Sequence, residues 1–219
     1  MNITDSRTDG CRRLPKLGVT GGVGSGKSLV CRRLQELGVS VCSADELARQ
    51  AVEPGTKAYD QIVHHFGRQI LTPDGGIDRA GLRRIIIGDD AARKTLEGFV
   101  HPEVMRQMEK HFAAAEKQGA SMAAAEVPLL FEAGLESFFD AVILVSGDME
   151  NRLQRVMARD NVSRQEAGAL MKTQMPEAQK RKRADYVIDN NGSIGRMQEE
   201  VDRIYAELRA ACKKKGEND

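Results

Sequence analysis

"LGVTGGVGSGKSLVCRRLQELG", Leu17 to Gly38, passes from a short apolar run through a glycine-rich turn to Lys27 and Ser28, then into a helical pattern. Gly21 to Ser28 satisfies GxxxxGK[ST], the phosphate-binding loop. A chance match in a chain of 219 residues is expected about once per hundred chains at average composition. The setting adds weight, because an apolar strand precedes the match and Leu29, Val30, Leu34 and Leu37 give the following helix an apolar face. Glycines let the backbone bend so that successive N–H groups turn inward on a phosphate, and the helix start adds its partial positive charge. The Lys27 ammonium then serves the β- and γ-phosphates, the Ser28 hydroxyl is a Mg²⁺ ligand, and the Leu29 backbone N–H completes the cradle. A glycine-rich turn with a surface lysine is the bland alternative, and it leaves the flanking strand and helix unexplained.

Outward from the loop, apolar runs at Leu17–Thr20, Val39–Val41, Ala123–Val127, Ala141–Val145 and Tyr186–Ile188 read as strands, each followed by a helical pattern. That alternation predicts a five-stranded parallel sheet flanked by helices. About eighty residues between the second and third strands exceed a minimal crossover and predict an inserted subdomain, punctuated at Pro54–Gly55, Thr72–Gly76 and His101–Pro102. Asn151 to Lys182 reads as a helical hairpin able to fold over a site, and Met197, Val201, Ile204, Tyr205 and Leu208 mark a closing helix followed by a solvated tail. The expected division is a tail over 1–16, one domain over 17–208 and a second tail over 209–219. Within the domain the core takes 17–50, 120–150 and 183–208, the insertion 51–119 and the lid 151–182.

Composition narrows the class. A formal net charge of +1 with 30% charged residues gives no general electrostatic case for nucleic acid or an anionic membrane. No apolar run approaches the roughly 18 residues of a membrane helix, and the first fifteen residues lack the apolar centre of a signal peptide, so a cytoplasmic protein is expected. Cys11, Cys31, Cys42 and Cys212 show no CxxC spacing, and the histidines form no HExxH, which argues against a structural metal.

A phosphate-binding loop serves switches, motors and kinases alike. The NKxD of guanine recognition is absent, the nearest approach being Asp189–Gly192, which has no lysine, and the DxxG at Asp78 to Gly81 follows a polar turn. Asp45 lies just beyond the second strand, which is expected to run alongside the first, at the end where ligand groups gather in open α/β sheets. A carboxylate there is where a kinase keeps the group that receives an acceptor hydroxyl's proton. Ser43 and Glu46 also form a capping-box pattern, so Asp45 has a competing role in the first helical turn. Glu126 ends the third strand and is either a helper for Mg²⁺ or an ordinary strand-terminal carboxylate. Arg152, Arg155 and Arg159 share a helix face, with Arg164 beyond a turn; they read either as a solvated face or as a lid that brings positive charge to the γ-phosphate.

Taken together, "TGGVGSGKS", "SADELARQAVEPG", "GGIDRAGLR", "FVHPEV", "VPLLFEAG", "RVMARDNVSRQEA" and "ADYVIDNNGS" resemble the dephospho-coenzyme A kinases from about Leu17 to Leu208. The resemblance implies a P-loop nucleoside-triphosphate-hydrolase-like core with a helical substrate-binding insertion and a helical lid. It implies phosphorylation of the ribose 3′-hydroxyl of dephospho-coenzyme A by ATP with Mg²⁺. By the same resemblance Gly22, Gly24, Ser25, Gly26, Lys27, Ser28, Leu29 and Arg164 bind ATP, with Ser28 as the metal ligand. Asp45 is the general base, Lys27, Arg155 and Arg159 act in catalysis, and Arg79, Arg83 and His101 line or support the acceptor side. A monomer or weak homo-oligomer is expected. Ser43 stands where the family usually has aspartate, and Ile87 where an aromatic residue is common, which is expected to loosen packing in the insertion. Two rivals remain: a nucleoside or nucleotide kinase with another acceptor, and an ATP-gated binding module that transfers nothing.

Overall fold

The computed structural model describes residues 14–215, with side chains through residue 211. The expected tail over 1–16 therefore lies mostly outside the described residues. Among those residues the strands are β1 (Lys16–Thr20), β2 (Ser40–Ser43), β3 (Ala123–Glu126), β4 (Ala141–Ser146) and β5 (Tyr186–Asp189), all parallel in the order β2-β3-β1-β4-β5. Each expected strand is present to within a residue or two. The expectation that β2 runs alongside β1 is corrected: β3 lies between them, with Glu126 in register with Val19 on one side and Ser43 on the other. Strand length and hydropathy carry no information about which neighbour a strand pairs with, whereas the long insertion leaves the chain free to return between its first two strands.

The sheet is covered on both faces, and period-2 alternation assigns each residue to one of them. Leu17, Val19, Ala124, Ile143 and Val145 pack with α1 (Lys27–Glu36) and α9 (Ile194–Lys215). Ala123, Ala125, Val142 and Leu144 pack with α5 (Asp90–Lys117) and the segment after β3. In α9, Met197, Val201, Ile204 and Leu208 are buried, so the helical spacing read from the sequence is the contact face. Truncating Ile204 to Ala there costs about 2–5 kcal/mol. The helix continues to Lys215, past Arg209, where the tail is expected to begin. Alanine and lysine are good helix formers.

After α2 (Ala44–Gln50), the segment expected as an insertion over 51–119 holds α3 (Lys57–Phe66), α4 (Arg79–Ile86) and α5, and gathers a small core of its own around Ile62, Phe66, Ile70 and Leu82. The turn at Thr72–Gly76 is present, closed by hydrogen bonds between Thr72 and Gly76. Pro102 does not break the chain as expected: α5 runs through it. Leu96, Phe99 and Val100 pack on the insertion core while Val104, Met108 and Phe112 pack on the sheet, and anchorage at both ends outweighs one proline's cost of about 3 kcal/mol. Ile87 is 70% exposed, so its side chain contributes little to packing in the insertion, and the expected loosening is not seen there.

The segment expected to form a lid, 151–182, folds as α6 (Met149–Asp160), α7 (Arg164–Lys172) and α8 (Glu177–Arg183). Asn161 takes a left-handed conformation at the end of α6, which turns the chain, and Ser163 and Glu166 form a full capping box that starts α7. Leu153, Val156, Ala167 and Met171 form the seam between the first two lid helices.

Candidate active site

The loop between Thr20 and Lys27 passes over the C-terminal edge of the sheet. Gly24 and Gly26 have φ of 74° and 94°, a left-handed backbone that side chains resist, and a Cβ at Gly26 would stand 2.2 Å from the Asn190 amide nitrogen. Gly26 starts α1 with no side-chain cap, and no acidic residue occupies the first turn. The helix N-terminus is thereby left to an anion. Ser25 is buried with its hydroxyl lacking a hydrogen-bond partner among the described residues, and Asn190, just past β5, donates its amide to the Ser25 carbonyl at 2.8 Å. Ser28 is exposed at the first turn of α1.

Lys27 Nζ donates to the carbonyls of Gly21 and Gly22 at 3.0 and 3.4 Å. Burial pushes its pKa down, and the nearby charges of Glu126 and then Asp45 oppose that shift. Glu126 is the counterpart: burial raises its carboxyl above the usual range, Lys27 pulls it down and Asp45 pushes it up again. Its charge also acts on Cys31, whose thiol is pushed well up first by burial and then by Glu126. Strand order explains the grouping. With β3 between β1 and β2, Glu126 sits centrally, Lys27 follows β1 and Asp45 follows β2, so three charged groups share one strand edge.

Asp45 is exposed in the first turn of α2, where the Ser43 hydroxyl accepts from the Glu46 N–H at 3.4 Å. Ser43 thus makes the first half of the capping box expected there. Beside Asp45 opens a cleft of about 280 Å³ walled by His101, Val104, Met108, Val127 and Leu129. A largely apolar cleft with a carboxylate at its rim suits a ligand with a flat or aliphatic body and a hydroxyl to present. Arg79 and Arg83 are exposed on α4 and do not line this cleft; Arg79 donates to the Arg49 carbonyl at 3.1 Å.

The arginine row on α6 divides. Arg155 reaches the loop, donating to the Gly24 carbonyl at 3.3 Å and to that of Asn190 at 2.9 Å. Arg152 is buried against the loop. Arg159 pairs with Asp160 at 2.7 Å, and Arg164 makes a two-pronged bond to Glu150 at 2.7 and 2.8 Å on the exposed side of the lid. The Arg164 fork holds Glu150 at a pKa of about 2.

Several residues at this site carry no signal in the sequence. Asn190 lies within the motif "ADYVIDNNGS", but nothing in its spacing marks it as a loop buttress. Gln174 carries no charge, yet its side-chain carbonyl accepts from the Val23 N–H at 2.9 Å. Glu132, in the segment after β3, accepts from the Met175 N–H at 2.9 Å and pairs with the buried Lys180 at 2.8 Å, tying that segment to the lid's return.

With this geometry established, comparison with known proteins is informative. The family model described as dephospho-CoA kinase matches residues 16–196. The dephospho-CoA kinase of Geobacter sulfurreducens is 45% identical over 190 residues, covering 87% of this chain and 96% of that one. A Thermus thermophilus protein of known crystal structure is 36% identical with a TM-score of 0.79, covering 90% of this chain and 98% of that one. The structure of dephospho-CoA kinase from Campylobacter jejuni, 27% identical, superposes with a TM-score of 0.67 over 90% of this chain and 98% of that one.

Proposed function

The chain belongs to the dephospho-CoA kinase family, and from that premise we propose that it transfers the γ-phosphoryl group of ATP to the ribose 3′-hydroxyl of dephospho-coenzyme A. The products are coenzyme A and ADP, and the reaction completes coenzyme A biosynthesis. The observation that carries this reading is the meeting of Lys27, Glu126 and Asp45 where the phosphate loop adjoins the apolar cleft.

Gly22 and Gly24 to Leu29 receive the nucleotide. Lys27 exchanges the carbonyls of Gly21 and Gly22 for β- and γ-phosphate oxygens, a gain for an ammonium that burial penalises. The acceptor lies in the cleft with its 3′-hydroxyl at Asp45, and His101 on the cleft wall supports it. As the bond from the 3′-oxygen to phosphorus forms, the bridge to ADP breaks and the hydroxyl proton passes to the Asp45 carboxylate. Phosphoryl transfer has a loose transition state, so that proton moves late and orientation of the hydroxyl counts as much as basicity. Ser28 would hold Mg²⁺, with the carboxylates of Asp45 and Glu126 as the nearby oxygen groups; an all-oxygen set suits this hard cation, which when bound offsets the negative charge on the β- and γ-phosphates.

Arg155 already touches the loop, while Arg159 and Arg164 must leave Asp160 and Glu150 before they can meet the nucleotide. Lid closure over ATP is the event that exchanges those partners and excludes water. Arg79 and Arg83 belong to the insertion, over about 51–119, and serve the acceptor at a distance from the cleft floor. We place the enzyme in the cytoplasm as a monomer or weak homo-oligomer.

The direct test is to incubate purified protein with MgATP and dephospho-coenzyme A, with AMP, adenosine and no acceptor in parallel, and to locate the new phosphate by mass and position. Coenzyme A formed with the first acceptor alone is the expected result. Transfer to AMP or adenosine instead would make it a nucleotide or nucleoside kinase.

A further inference from the structure

Val23, the third residue of the phosphate loop, is held on both sides by the lid. Its N–H donates to Gln174 Oε1 at 2.9 Å, and its carbonyl accepts from Arg152 Nε at 3.0 Å. The two side chains come from opposite ends of the lid. Arg152 lies on α6, where the chain enters, and Gln174 lies between α7 and α8, where it returns. Arg152 is itself fixed: its Nη1 bonds Glu177 Oε2 at 2.6 Å, Glu177 also takes the Ser146 hydroxyl at the end of β4, and the arginine is only 8% exposed. Its Nη2 lies so close over Gly22 that a Cβ there would stand 2.0 Å away. The Val23 side chain packs against the seam of Leu153, Val156, Ala167 and Met171.

Catalysis by a phosphate loop depends on N–H groups aimed before the ligand arrives. Four glycines among residues 21–26 make that aim costly, because glycine loses the most conformational freedom when it is ordered. Val23 is the loop residue with an apolar side chain to anchor, and both of its backbone polar groups are occupied by the lid. Arg152's charge is balanced by Glu177, so its service to the loop is geometric.

We propose that Gln174 and Arg152 are positioning residues for phosphoryl transfer, the two ends of a clamp that holds the Val23 backbone, and with it the phosphate loop, in its nucleotide-receiving shape. The proposal rests on the kinase reading for its activity readout, while nucleotide affinity tests it independently of the acceptor.

Gln174→Leu removes the acceptor for the Val23 N–H at a half-buried position between helices, where folding is readily retained. The Kd for MgADP, by titration calorimetry, and the KM for ATP should each rise about three- to tenfold, the worth of one hydrogen bond. The KM for dephospho-coenzyme A and the Tm should not move. Arg152→Lys keeps a cation for Glu177 but cannot serve Glu177 and the Val23 carbonyl together, and should give the same split. Because both side chains act on one residue, the double variant should lose less than the product of the single losses. Unchanged MgADP affinity in a Gln174→Leu protein of normal Tm would overturn the clamp, as would penalties that simply multiply. Should the wild type phosphorylate a different acceptor, the MgADP affinities still decide the clamp. Should Gln174→Leu bind MgADP normally while the wild type makes coenzyme A, the clamp fails and the kinase reading stands.

Discussion

Asp45 and Glu126 are two carboxylates beside one lysine, and their surroundings separate their roles. Asp45 is exposed at the cleft rim, free to meet a hydroxyl, whereas Glu126 is half-buried between β1 and β2. Asp45→Asn should cut turnover by about 10²–10⁴ while MgADP binding, measured by calorimetry, survives. Glu126 makes a pH-dependent prediction. Burial raises its folded pKa above the unfolded value, so its ionisation at neutral pH works against the fold, and the penalty disappears as pH falls below the unfolded value near 4.3. Glu126→Gln should therefore raise the Tm of the nucleotide-free protein near pH 7, by no more than about 2–4 °C, and leave it unchanged near pH 4. A gain that persists at pH 4 would mean that the benefit lies in packing and not in charge.

Among the elements, the lid makes the sharpest contrast. Its α6 turns one side to the loop through Arg152 and Arg155 and the other to solvent, where Arg159 pairs with Asp160 and Arg164 on α7 pairs with Glu150. Exposed pairs of this kind are worth little to stability, so they are easily exchanged for a phosphate. Glu150→Gln removes Arg164's partner and should lower the KM for ATP about two- to fivefold, with Tm nearly constant; an unchanged KM would separate Arg164 from nucleotide binding. Arg155→Ala loses contacts to the carbonyls of both Gly24 and Asn190 and should weaken MgADP binding about tenfold.

For the whole molecule, the cleft lies between insertion residues such as His101 and Met108 and core residues such as Asp45 and Val127, and the lid closure proposed above should let phosphoryl transfer outpace idle hydrolysis. Acceptor-independent ATP hydrolysis is expected at least about 10²-fold below the kinase rate; near-equal rates in a coupled ADP assay would count against a water-excluding lid. The sequence alone determined the loop, the five strands and the apolar face of α9, because each is written in local chemistry: a fixed glycine spacing, short β-branched or alanine runs, a 3.6-residue period. It also placed Asp45 beyond a strand, since a residue's offset from its own element is a local property. Which strand lies beside which, and hence the approach of Glu126 to Lys27, was decided only in three dimensions, because pairing partners are chosen by closure of the whole sheet across about eighty residues between β2 and β3. So were the unbroken run of α5 through Pro102, which rests on packing at both of its ends, and the meeting of Arg152 and Gln174 at Val23. Those three residues lie 129 and 151 positions apart, and a hydrogen bond across such a distance leaves no period or motif in the chain, only a geometry that the folded lid and loop supply together.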